Sequence, residues 1–313
     1  MKTKKALCGL LIVSLGLAFT RCNDDEVAPD PEKASWIVST LSPERSFYPY
    51  GFMKGDDGQL YAVGSSGTDL VFNEYADGTW KTIATVQEPV VVSFTVYNDA
   101  VYYSTYNAIK RAKGSDVETI MSAAFSGLEV YKDKLILTGS PIEWNANEYT
   151  IMSFDGDTFT PIDQGTQGGG IVKVNGKLFI GGNPMKVYDG TGLTEIDYWG
   201  GFFNIDQRTE GVCTYHEGTN GEITLKQFIG GTYQDIGNPV KTTSIVSSIE
   251  LNSRTIVFSA VDTKKNISDT YFLNSKNTWT QIPNDIQIYD LVNFNDKILA
   301  STSDGEILEL TFD

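Results

Sequence analysis

The sequence predicts an all-β fold in which one four-stranded unit recurs about seven times. Three observations predict it. From Ser35 onward, short runs of alternating apolar and polar residues are separated by Gly, Asn, Asp and Ser, and no helical period is sustained. The chain holds 30 glycines in 313 residues, which marks many turns. Two segment types alternate along the chain.

The first type is a hairpin with a large residue on each side of its turn and an Ile closing it. It reads YADGTWKTI (Tyr75–Ile83), RAKGSDVETI (Arg111–Ile120), FDGDTFTPI (Phe154–Ile162) and YDGTGLTEI (Tyr188–Ile196), then FIGGTYQDI (Phe228–Ile236) and LNSKNTWTQI (Leu273–Ile282). The second type lies between these: FTVYNDAVYYST, LEVYKDKLILTG, IVKVNGKLFIGG, SIELNSRTIVFSA and LVNFNDKILAST, with a weaker copy in MKGDDGQLYAVG. Together they make a period of strands A, B, C and D, of about 40 residues over 35–313. That is the spacing of a β-propeller blade. Seven blades fit the length. Six or eight remain open, because the fifth unit (IDQRTEGVCTY) is degraded.

The two ends complement each other. The last repeat stops after strand C, at Glu306–Phe312, and the first segment, Ser35–Ser39, looks like an orphan D strand in which Trp36 matches Trp80 and Trp279. The N-terminal strand is therefore expected to complete the last blade and close the ring, leaving no open sheet edge.

Before the repeats, MKTKK and an apolar run from Ala6 to Phe19 form a charged region and a short hydrophobic region, too short to span a bilayer comfortably, so 1–21 reads as an export signal. Cys22 follows directly, and this arrangement resembles the lipidation site of bacterial lipoproteins, departing from it in the Arg at position 21. The acidic Asn23-Asp24-Asp25-Glu26 resembles the signal that sends some lipoproteins to the outer face of the outer membrane. The resemblance implies lipidation at Cys22, a membrane anchor and surface exposure. Residues 22–34, polar with two prolines inside NDDEVAPDPEKA, read as a tether, and 35–313 as the propeller.

Charge narrows the partners. Residues 1–21 hold four basic residues (Lys2, Lys4, Lys5, Arg21) and no acidic one, so 22–313 set 20 basic against 40 acidic residues, a net of −20. Such a surface repels nucleic acid and anionic head groups and favours neutral or cationic partners. Outside the signal and Cys22 only Cys213 remains, which excludes an internal disulfide framework and reads as a small hydrophobe.

Chemistry is sparsely marked. The single histidine, His216, is placed after strand B of the fifth blade beside Glu217, and reads as a loop residue. Asp56-Asp57 and Asp155/Asp157 hint weakly at a metal, but the six to eight oxygens calcium needs are not signalled, and they read as solvated turns. Ser153–Phe159 and Asp77–Trp80 look like the Asp boxes of sialidases, one residue short, at positions where any C–D hairpin needs a turn. Gly168-Gly169-Gly170 reads as room where an A strand crowds the axis. No catalytic residue, cofactor or metal site is assigned.

The repeats resemble kelch-type and related propellers in their four-strand period, their D-strand aromatics and one diglycine, Gly181-Gly182; the diglycine is missing from the other repeats. The propeller class implies that D–A and B–C loops share one face around the channel. Three of these loops carry aromatics: Tyr48 and Tyr50 before the first blade, Trp144 in the B–C loop of the third, and Tyr198 and Trp199 before the fifth. These suit sugar stacking or a protein partner. The expected function is a surface binding module for a glycan or a protein of an outer-membrane complex; the alternative is a propeller-based glycoside hydrolase or polysaccharide lyase.

Overall fold

The computed structural model describes residues 33–312, apart from 44–46, 141–149, 165–167, 175, 183, 197–200, 207–210, 218–221, 230, 243–244 and 263. The first strand is β1 (Ala34–Val38). Blade 1 holds β2 (Tyr48–Lys54), β3 (Leu60–Ser66), β4 (Asp69–Ala76) and β5 (Thr79–Val86); blade 2 holds β6 (Ser93–Tyr97), β7 (Ala100–Ser104), β8 (Ile109–Lys113) and β9 (Asp116–Met121). Blade 3 comprises β10 (Ala124–Tyr131), β11 (Lys134–Ser140), β12 (Thr150–Phe154) and β13 (Phe159–Gln164); blade 4, β14 (Gly168–Val174), β15 (Lys177–Gly182), β16 (Met185–Tyr188) and β17 (Leu193–Ile196). Blade 5 comprises β18 (Gly201–Asp206), β19 (Gly211–Glu217), β20 (Glu222–Ile229) and β21 (Thr232–Lys241); blade 6, β22 (Ile245–Leu251), β23 (Ile256–Asp262), β24 (Ile267–Leu273) and β25 (Trp279–Ile282). Blade 7 is β26 (Ile288–Phe294), β27 (Lys297–Thr302) and β28 (Ile307–Phe312), with β1 as its fourth strand.

Among the described residues the strands thus form seven antiparallel four-stranded sheets. Innermost strands pack in sequence, β6 on β10, β10 on β14, β14 on β18, β18 on β22, β22 on β26 and β26 on β2. Blades 1 and 2 also meet farther out, where Thr85 N donates to Gly114 O (2.9 Å) and Gly114 N to Ile83 O (3.0 Å). The expected closure is present: Trp36 pairs with Leu310 and Ala34 with Phe312 across β1 and β28.

Because each sheet buries both faces, the core is divided into layers between successive blades. One layer joins Leu60 of blade 1 to Val292 and Leu299 of blade 7, and another joins Phe72 to Val101 and Tyr103 across blades 1 and 2. The layer between blades 5 and 6 centres on Phe258, which is fully buried. The matched tryptophans bolt these layers. Trp36 Nε1 donates to Thr270 Oγ1 (3.2 Å), Trp80 Nε1 to Leu41 O (2.8 Å) and Trp279 Nε1 to Ile236 O (3.3 Å). Trp36 and Trp279 thereby reach the preceding blade and Trp80 the loop that leads from it, each burying a large ring while keeping its N–H satisfied.

The A–B turns follow the local chemistry of their residues. Asn98-Asp99, Lys132-Asp133 and Asn295-Asp296 all have positive φ, between 49° and 64°, as a two-residue hairpin turn requires. A–B turns also serve as docking points: Tyr97 Oη donates to Asp133 O (2.8 Å) and Tyr131 Oη to Gly176 O, each reaching the next blade's turn.

Most innermost strands carry a bulge against their B strand, with register shifts at Pro49/Gly51, Phe125/Gly127, Gly168/Ile171, Phe202/Asn204, Val246/Ser248 and Ile288/Asp290. Crowding around the axis explains one glycine well. A Cβ on Gly127 would stand 2.6 Å from Thr138 Oγ1 and 2.8 Å from Ile171 Cγ2. At Gly170 the expectation of crowding fails, since a Cβ there meets nothing within 4 Å; the triglycine coincides with the β14 bulge instead. His216 also differs from its expected place: it lies within β19, not after it.

Candidate functional site

Strand direction defines two faces. A strands run from the D–A loop to the A–B turn, so D–A and B–C loops lie together on what we call the upper face, and A–B and C–D turns on the lower. Three tyrosines are the exposed aromatic residues among those described: Tyr48 (45%), Tyr106 (63%) and Tyr289 (41%). All three lie on the upper face, in the consecutive blades 1, 2 and 7, together with exposed Val92.

Each tyrosine is presented by a rigid local device. Tyr48 lies against Gly305 of the β27–β28 turn, where a Cβ would stand 2.1 Å from its ring; Gly305 has φ +81°, so a side chain is excluded on both counts. Tyr106 projects from a tight turn in which Thr105 N donates to Ala108 O (2.9 Å) and Ala108 N donates to Thr105 Oγ1 (3.2 Å). Tyr289 is the extra residue of the β26 bulge, which turns it outward. Ser303 N donates to Gln287 O (2.9 Å), tying the two upper loops of blade 7 together.

Of the site residues expected from sequence, Tyr48 is on this face and exposed. Tyr50 is half-buried and packs into the layer between blades 1 and 2, where burial raises its phenol above the ordinary range. Trp144, Tyr198, Trp199 and the lipidation candidate Cys22 lie outside the described residues. Tyr106 and Tyr289 were missed. Tyr106 carried a signal, an aromatic in a turn that otherwise reads as polar; Tyr289 carried none, because a bulge is a property of two strands.

Asp290, on innermost strand β26, is a carboxylate that ties blades together. Asp290 Oδ2 accepts Phe52 N (2.8 Å) from blade 1, and Oδ1 accepts Ser248 Oγ (3.1 Å) from blade 6 and its neighbour Leu291 N (2.9 Å). Burial pushes its carboxyl up to about 6, against the three donors, each of which lowers it. Its oxygens are occupied by structure, and it acts as a bolt between three blades. The folded value exceeds the ordinary 3.8, so between about pH 4 and 6 the folded chain binds more proton than the unfolded one. This group's contribution therefore favours folding most at low pH and is lost as pH rises through 6. Asp290→Asn should flatten that part of the stability profile, read from denaturant midpoints across the window; an unchanged slope would refute the assignment.

Lower on the channel, Lys173 of β14 bonds Asp56 in the β2–β3 turn, lies 3.4 Å from Glu129 Oε1 and donates to Val130 O (3.2 Å). Blades 1 and 4 are not neighbours, so the contact with Asp56 crosses the axis. The Asp-box and metal candidates turn out to hold turns closed. Asp155 Oδ1 accepts Asp157 N (3.1 Å) and Thr158 N (2.9 Å), which keeps its carboxyl below the usual range, and Asp57 Oδ1 accepts Gln59 N (2.9 Å).

Two cavities are found among the described residues. One, of about 430 Å³, sits beneath residues 40–43 and is lined by Phe47, Tyr75 and Trp80. The other, about 650 Å³, is lined by Tyr102, Arg111 and Glu118 of blade 2 and Asp155 of blade 3.

This architecture defines the chain as a β-propeller. No protein-family model matches it and no curated protein matches it. Among solved structures it is similar to a catalytically inactive virginiamycin B lyase from Staphylococcus aureus with quinupristin, at 14% identity and TM-score 0.62, covering 90% of this chain and 99% of that one. It is similar also to YCF48 from Cyanidioschyzon merolae (11% identity, TM-score 0.57, 88% and 98% covered) and BamB from Moraxella catarrhalis (13%, 0.56, 89% and 98%). At these identities the likeness is one of fold.

Proposed function

We propose that the chain is a binding propeller displayed on the cell surface by a lipid on Cys22, and that its upper face docks a glycan or a protein partner. The observation that carries the binding reading is the gathering of the exposed aromatics on one face of three consecutive blades. Aromatic side chains held in advance lose little freedom on binding and bury large areas. The anchor reading rests on Cys22 directly after the apolar run. Chain direction agrees with it: β1 begins at the lower end of blade 7, so the chain enters on the face opposite the tyrosines.

Two variant strains test both parts. Cells making Cys22→Ser should shed the chain from the membrane fraction. Cells making Tyr48→Ala/Tyr106→Ala/Tyr289→Ala should retain it, and that protein should lose at least about tenfold in glycan-array or envelope pull-down signal. Retention of the first variant in the membrane would sink the anchor, and undiminished binding by the second would sink the docking face.

A further inference from the structure

We infer that the upper face of blades 7, 1 and 2 receives a cationic peptide segment, rich in Lys or Arg, from a protein partner. This rests on the upper face being the binding face and adds the chemistry of what it takes. Among the described residues the charges around the three tyrosines are one-sided. In blade 7, Asp285 lies in the D–A loop, and Asp304 and Glu306 flank Gly305, on which Tyr48 rests; all three carboxylates are exposed. Blade 1 adds Asp69 where β4 begins, and Glu88 lies in the loop leading to blade 2. Among the described residues of these upper loops and strand ends, the basic side chain is Lys110, and it is already paired with Glu88.

An ammonium or guanidinium meets two complementary features here. Exposed tyrosine faces attract it through the ring quadrupole, while the carboxylates supply long-range attraction. The net charge of −16 over the whole chain acts in the same direction. An acidic segment would meet uncompensated carboxylates, and a neutral glycan would use the rings and leave the charges without a role.

The test is octalysine binding to the purified full chain, followed by fluorescence anisotropy, with octaglutamate as control. Octalysine should bind and octaglutamate should not, with affinity falling about tenfold from low to physiological salt. Two upper-face variants, Tyr48→Ala/Tyr106→Ala/Tyr289→Ala and Asp285→Asn/Asp304→Asn/Glu306→Gln, should each weaken octalysine about tenfold. Asp116→Asn/Asp155→Asn/Asp157→Asn removes as many charges from the lower face and should change affinity by less than about twofold. Equal weakening by upper and lower charge variants would reduce the effect to general acidity and overturn the inference. So would octalysine bound equally well without the tyrosines. If octalysine does not bind but the tyrosine variant still loses its glycan or envelope signal, the cationic partner falls and the binding face stands.

Discussion

A chain starting at Ser39, without β1, is expected to lose its cooperative thermal transition and to aggregate. Blade 7 would be left with three strands, and the outer edge of β28 would be unpaired along its length. The layer between blades 6 and 7 would lose Ala34 and Trp36, and Thr270 its indole partner. Trp36 is half-buried, so Trp36→Ala alone should cost less than the ~3–5 kcal/mol of a fully buried aromatic, against the ~5–15 kcal/mol typical of a folded domain. A circular permutant separates lost closure from lost residues. Phe312 and Ala34 are cross-strand partners, so an Asn-Gly link between 312 and 34 can continue β28 into β1 as a hairpin. With new ends at the exposed turn at Gly78, this permutant should melt within a few degrees of the parent. If the chain starting at Ser39 melts like the parent, closure by β1 is not what holds the ring.

Phe258→Ala should cost about 3–5 kcal/mol. Phe258 is fully buried on β23 and lies 4.9 Å from Tyr271, near-parallel at 18°, and 4.9 Å from Trp279, edge-on at 81°. Truncation opens a cavity lined by two rings that blade 5 holds from the other side through Ile236. Phe258→Leu keeps most of the volume and should cost roughly half as much. Urea titration reads both, and a loss below about 1 kcal/mol for the alanine variant would mean that the layer collapses to fill the space.

The fold was legible because blade construction is local. Alternation within strands, Asn and Asp at the turns, and an aromatic on each side of a hairpin are all visible in one stretch of chain. The match between Trp36, Trp80 and Trp279 even exposed the closure, since all three meet the same demand, a large D-strand ring against the preceding blade or the loop that leads from it. The site was less legible because it depends on pairings between strands. Tyr50 and Tyr289 are both bulge residues of innermost strands, yet one is packed inward and the other exposed. Which way each turns is decided by neighbouring blades. The same holds for Asp290, an unremarked acid in sequence whose three donors come from blades 1, 6 and 7.

The position of β1 also sets how the ring answers a mechanical load. Tension on the N-terminal segment enters at Ala34, whose partner Phe312 stands near the other chain end. A load applied at the opposite face would pull against it roughly along the strand. The ladder between β1 and β28 is then loaded in shear, so its backbone bonds share the force instead of parting one at a time like a zip. The strand that seals the ring is also its strain-bearing seam, and rupture there would open blade 7 first.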